Sequence, residues 1–260
     1  MAYSRQLLLA AVFLISVSVI AMKFGAAPKH NLGQLPQPSY DGYVLVTTWA
    51  PNACKLKTCY PGISLLKNVF NLRGLWPIIF AKSKLLADCY PSSFDIKLLP
   101  EPTKLLTINY WNSLYDYKYS LVSEQWIGRG TCWKPSTSNM ALVPPSLKTS
   151  AQYGISTFSQ SNQVNRQDAY IKMAVSLSRQ YNVYEALKAK GIVPTSATKY
   201  SRNQVLLAIK SYFGVNKVLV RCEDGYLTEV QICTDLNYKL VDCDMDRDSC
   251  PEQVAYMPVS

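Results

Sequence analysis

A chain of 260 residues with 48% apolar and 12% aromatic side chains is that of a folded protein, which excludes disorder as its main state. The formal charge of +10 admits nonspecific attraction to nucleic acid, anionic lipid or acidic polysaccharide and does not choose among them. No run of five or more basic residues occurs, so a solvated basic surface accounts for the charge as well as a dedicated binding patch does.

The chain opens with "MAYSRQLLLAAVFLISVSVIA", in which Arg5 precedes a run from Leu7 to Ala21 that is apolar apart from Ser16 and Ser18. That is the layout of a secretory signal, and the run falls short of the roughly 20 residues a spanning helix needs. Residues 1–27 are therefore expected to be a cleaved signal peptide, with an uncleaved signal anchor as the alternative. Val19-Ile20-Ala21 and Gly25-Ala26-Ala27 both offer small residues for a cut, the second followed by Pro28. Removing residues 1–27 takes only Arg5 and Lys23 from the +10 and leaves +8. No later stretch is apolar for long enough to cross a bilayer, so the rest is expected in the secretory lumen or outside the cell, with a membrane as partner only if the N-terminal segment stays uncleaved.

Residues 28–42, which include His30, the only histidine, read as an extended lead-in to one domain over 43–260. "YVLVTTWA" (43–50) has the β-branched and aromatic content of a strand. After Gly74-Leu75-Trp76-Pro77 an irregular stretch runs to Phe94-Asp95. A helix is expected from near Pro102, with Leu105, Ile108, Trp111 and Tyr115 at helical spacing and its aromatics as core residues rather than ligand contacts. Residues 134–165, rich in Ser, Thr, Asn and Pro, read as a long loop or insertion. "QDAYIKMAVSLSRQYNVYEALKAKG" reads as a helix closed by Gly191, and "SRNQVLLAIKSYFG" as another between Ser201 as N-cap and Gly214 as stop. "KVLVRC" and "YLTEVQICTD" alternate like strands before a cysteine-pinned tail. Strand, helices, then strands is the order of an α+β domain.

Eight cysteines lie beyond the apolar N-terminus. In an oxidising compartment they imply four disulfides, each able to add about 2–4 kcal/mol. Zinc fits poorly: Cys54 and Cys59 have near-ligand spacing, but Cys222, Cys233 and Cys243 are too far apart and His30 is remote. No metal or other cofactor is expected.

"NLRGLWP" (71–77) and "EQWIGRGTCW" (124–133) together resemble the two active-site segments of the ribonuclease T2 family, which read roughly I-H-G-L-W-P and H-E-W-x-K-H-G-T-C. "TTWAPNAC", "ADCYPSSFD", "YEALKAKGIVPT" and "GYLTEVQICTD" resemble further segments of that family in the same order, over about residues 43–250. The resemblance implies a single disulfide-stapled α+β domain, with a central antiparallel sheet and helices packed on it. It also implies the bridges Cys54–Cys59, Cys89–Cys132, Cys222–Cys250 and Cys233–Cys243.

Family members cut RNA by attack of the 2′-hydroxyl on the adjacent phosphorus, forming a 2′,3′-cyclic phosphate. The step needs one group to take a proton and another to give one, which histidine does between about pH 5 and 8. Here the first histidine position holds Arg73. Counting back from Gly130-Thr131-Cys132, the final histidine is Arg129, the lysine Gly128, the glutamate Gln125 and the opening histidine Glu124. A register with one inserted residue keeps Glu124 as the glutamate and puts Ser123 at the opening histidine. In both registers the principal histidines are arginines, which stay protonated at physiological pH.

The expectation is a catalytically inactive homologue. Arg73 and Arg129 could clamp an anion, with Trp76 and with Trp49, near where the family stacks a base, as further candidates for RNA contact. The same residues could persist for the fold alone, leaving RNA, another polyanion or a protein partner open. An enzyme of altered mechanism, with Glu124 as base beside Arg73 and Arg129, is the alternative.

Overall fold

The computed structural model describes residues 39–61, 68–134, 160–245 and 248–259, with side chains placed from 166 onward in the third stretch. The expected signal segment, His30 and most of the expected insertion lie outside the described residues.

Strands β1 (Gly42–Thr48), β2 (Asn71–Ile79), β3 (Lys84–Leu85), β5 (Leu219–Glu223) and β6 (Tyr226–Asp235) form one antiparallel sheet in the order β3-β2-β1-β6-β5, and β7 (Leu240–Val241) adds to β6. A separate two-stranded ribbon pairs β4 (Tyr200–Ser201) with β8 (Gln253–Val254). The helices are α1 (Ala50–Leu56), α2 (Glu101–Tyr110), α3 (Ser120–Gly128), α4 (Gln160–Gln180), α5 (Val183–Lys188) and α6 (Arg202–Phe213). Helix α4 packs on β1, β2 and α2, while α3 packs on β2. The resulting α+β fold is the one expected.

The main core lies between sheet and helices, where Leu45, Leu72, Leu75, Trp111, Trp126, Tyr170 and Ile232 are buried together. The opposite face carries a smaller cluster of Val44, Val46, Ile78, Leu219, Cys233 and Cys243. β1 is buried along its whole length because it is central and covered on both faces. All eight cysteines are bridged, as Cys54–Cys59, Cys89–Cys132, Cys222–Cys250 and Cys233–Cys243, the pairing the resemblance implied.

Several local expectations need correction. The strand read as 43–50 ends at Thr48, because Pro51 near the N-terminus of α1 starts a helix that Asn52 locks by donating to the carbonyls of Leu227 (2.7 Å) and Ala255 (2.9 Å). Gly74-Leu75-Trp76-Pro77 lies in β2, which runs on to Ile79 before the irregular stretch begins. Helix α2 ends at Tyr110, so Trp111 and Tyr115 lie beyond it; its buried positions are Thr103 and Thr107, and Leu105 is 52% exposed. Residues 160–165, read as loop, open α4. The long helix read over 167–191 breaks after Gln180, where the Asn182 side chain caps α5 by accepting from the Glu185 amide. Gly191 and Gly214 do take left-handed φ of 73° and 69°, and Ser201 makes a full capping box with Gln204.

Candidate functional site

The first of the two paired segments owes its geometry to a β-bulge. Along β1 and β2, Val46 faces Gly74 and Thr47 faces Leu72, so Arg73 is an extra residue with no partner. A bulge bends the strand and re-aims the side chain at that point. Here it turns Arg73 outward, with its side chain 48% exposed. The Arg73 carbonyl accepts from the indole Nε1 of buried Trp111 at 3.1 Å. Gly74 follows because nothing larger fits: a Cβ there would lie 2.2 Å from Trp76 Nε1 and 2.8 Å from Gln125 Oε1.

The second segment is the end of α3 and the tight turn after it. Glu124 is exposed; Gln125 and Trp126 point inward. Trp126 donates to the Ser92 hydroxyl at 2.8 Å. Gly130 lets the turn close on the core, since a Cβ would meet Trp126 at 2.5 Å and Tyr170 at 2.9 Å. The Cys89–Cys132 bridge and the Asp88 amide, donating to the Gly128 carbonyl at 2.9 Å, tie this turn to the chain after β3. Trp76 Nε1 donates to Gln125 Oε1 at 2.6 Å and so joins the two segments.

A cleft of about 270 Å³ opens beside Arg73, with Thr48, Asn71, Tyr115, Asp116 and Glu124 among its walls. Its lining carries one guanidinium against two carboxylates. Behind Arg73 stands Glu229, its Oε2 3.5 Å from Arg73 Nε. Burial pushes the Tyr115 hydroxyl above its ordinary value, the charge of Glu223 adds to the effect, and Arg73 opposes it.

The structure thus brings Arg73 and Glu124 to one cleft and separates them from two other candidates. Arg129 is not among the lining residues: its Nη1 donates to the Leu86 carbonyl at 2.6 Å and its guanidinium lies 5.6 Å from the Trp76 ring centre. The two arginines of the expected clamp therefore do not line this cleft together: Arg73 does, and Arg129 lies against a backbone carbonyl and Trp76. Trp49 is 1% exposed and donates to the Met257 carbonyl at 2.7 Å, so its ring is core and offers no face to a base. Trp76 is half-buried beneath Arg129.

Sequence reading missed Glu229 and Asp116 and took Tyr115 for a core residue. Glu229 sits in "GYLTEVQICTD", a stretch noted only as a strand. Its nearness to Arg73 is a cross-sheet contact with no local signal.

Residues 40–243 match the model of the ribonuclease T2 family. Ribonuclease Oy of Magallana gigas is 27% identical over 238 residues, covering 84% of this chain and 96% of its own. Ribonuclease DdI of Dictyostelium discoideum is 22% identical over 219 residues, covering 84% of each. Among solved structures, a mutant of ribonuclease MC1, a protein of bitter gourd seeds, in complex with 5′-GMP superposes with a TM-score of 0.61 at 25% identity, covering 84% of this chain and all of the other. An RNase-related protein from Calystegia sepium gives a TM-score of 0.65 at 21% identity over 86% of this chain and all of its own.

Proposed function

The chain belongs to the ribonuclease T2 family, and on that premise we propose that it is a secreted, catalytically inactive homologue whose cleft binds RNA or single nucleotides through Arg73 without cutting them. One observation carries the reading: the two segments that resemble the family's active-site motifs hold Arg73 and Arg129 where the resemblance puts the proton-carrying histidines. A guanidinium holds phosphate by charge and hydrogen bonds but neither takes nor returns a proton near neutrality. Losing general acid–base assistance costs about 10²–10⁴-fold for each group.

Binding is supported by the exposed Arg73 in a cleft of nucleotide-binding ancestry and by the complex of the bitter gourd protein with 5′-GMP. Secretion is supported by the apolar N-terminal run behind Arg5 and by four disulfides, which persist in oxidising compartments. Among the described residues no helix is long and apolar enough to cross a membrane.

Glu124 and Arg73 on walls of one cleft favour a second reading, an endoribonuclease with Glu124 as lone base and Arg73 stabilising the phosphorane. That mechanism still needs an acid for the leaving 5′-oxygen. Purified mature protein incubated with single-stranded RNA, followed for both cleavage and retention, separates the readings. Retention without cleavage supports the first. Cleavage that survives repurification and disappears in Glu124→Gln establishes the second, and neither retention nor cleavage leaves a protein-binding or structural role.

A further inference from the structure

The Arg73–Glu229 pair is assembled by two ladder irregularities. Arg73 is the extra residue of the bulge in β2, and Glu229 follows Thr228, the extra residue where β6 pairs with β5. Glu229 shares a cross-strand row with Thr48 and Asn71, which both line the cleft. Its side chain is 11% exposed, and its second oxygen, Oε1, accepts from Gln231 Nε2 at 2.5 Å. The carboxylate is therefore fixed from the sheet side, whereas the arginine reaches from it toward solvent.

We propose that Glu229 is the internal counter-ion that sets the cleft's affinity for phosphate, holding Arg73 through Nε while competing with an incoming anion for its charge. The inference rests on the reading of the cleft as a nucleotide-binding site. The contact is an ion pair on the Nε side of the guanidinium, which leaves the four N–H donors on the terminal nitrogens for a ligand. Charge is the cost. With Glu229 offsetting Arg73, and Asp116 and Glu124 on the walls, the cleft has no surplus of positive charge, and phosphate binds more weakly than an unpaired arginine would bind it.

The test is titration of the full mature protein with 5′-GMP and with a short single-stranded RNA, for wild type, Glu229→Gln, Arg73→Ala and the double variant. Glutamine keeps an acceptor for Gln231 and removes the charge. Glu229→Gln is expected to bind about fivefold tighter, the upper worth of a half-solvated ion pair. Its salt slope should be unchanged, because the number of phosphates contacted is the same. The double variant should bind no better than Arg73→Ala, since Glu229 acts only through Arg73. Binding lost in Arg73→Ala but not tightened in a natively folded Glu229→Gln overturns the role of Glu229 and leaves the cleft reading standing. An equal gain from Glu229→Gln with and without Arg73 reduces Glu229 to a general charge effect and overturns the inference. Absence of binding by both wild type and Glu229→Gln overturns both.

Discussion

Trp76 on β2 and Gln125 on α3 are joined by an indole N–H donating to the carboxamide oxygen at 2.6 Å, in contact with Gly74. This bond fastens sheet to helix at the edge of the cleft, and a neutral amide supplies the acceptor where one register of the family resemblance puts a glutamate. Gln125 is 7% exposed, so removing its side chain strands a largely buried N–H. Gln125→Ala is expected to cost about 1–3 kcal/mol in chemical denaturation. Gln125→Glu, which keeps an acceptor, should cost clearly less, and equal losses for the two would deny the bond any importance.

Placing proton carriers at the two arginine positions tests the proposed inactivity directly. Wild type is expected to show no RNA cleavage between about pH 4 and 8, where arginine does not titrate. Arg73→His combined with Arg129→His should give detectable cleavage with a bell-shaped pH profile, and each single change much less. Imidazole at position 129 is too short to copy the guanidinium's reach to the Leu86 carbonyl and is free to turn elsewhere. A double variant that folds natively and stays inert would show that other departures from the motif, Gly128 at the lysine position of the first register among them, also block catalysis.

The bridges differ in what they close. Cys89–Cys132 spans 43 residues and Cys54–Cys59 only 5. Loop-closure entropy then assigns about 4 kcal/mol to the first and about 2 kcal/mol to the second. Paired Cys→Ser variants compared by urea denaturation should keep that order. Loss of the longer bridge also frees the turn that carries Arg129, so its variant should be the more easily proteolysed.

Three hydroxyls in the core make the fold sensitive to alkali. Burial raises the ionisation of Tyr43, Tyr170 and Tyr256 well above the ordinary tyrosine value, and the Tyr170 hydroxyl donates to the Leu75 carbonyl at 3.0 Å. A raised folded-state value means that the neutral form is favoured in the native protein. The associated stability is complete below the unfolded value, near pH 10, and declines as pH rises toward the folded value. Each such tyrosine is expected to remove about 1.4 kcal/mol per pH unit above that point. Tyr170→Phe, measured against wild type by denaturation near pH 8 and pH 11, should show a shallower decline even if it is less stable at the lower pH.

What the sequence conveyed and what it hid separate along physical lines. The α+β class, the caps at Ser201 and Gly214 and the four bridges were legible because each rests on local chemistry or on quoted segments of a known family. The bulge at Arg73 was not, since a strand register depends on its partner. Tyr115 misled because spacing was counted through a helix that stops at Tyr110, leaving buried Trp111 and exposed Tyr115 to be placed by the loop after it. The separate fates of Arg73 and Arg129 were hidden for a similar reason. The resemblance puts both at histidine positions, but the carbonyl that accepts from Arg129 belongs to Leu86, 43 residues away.

Those fates give the last prediction, which sets the two arginines against each other. Arg73 is half-exposed in the cleft, so Arg73→Ala should weaken binding of single-stranded RNA by about 1.5–3 kcal/mol if it makes one charge-assisted contact. Arg129→Ala removes the same formal charge but also a bond to a backbone carbonyl and the cover over Trp76, so it should lower stability while changing RNA affinity little. Lys190→Ala, on the exposed turn after α5, removes the same single charge and should do neither. Filter retention and thermal unfolding on the same preparations read both quantities. Equal losses of affinity from Arg73→Ala and Arg129→Ala would return Arg129 to the cleft in solution. Equal losses from the arginine variants and Lys190→Ala would make RNA binding a property of the basic surface rather than of the site.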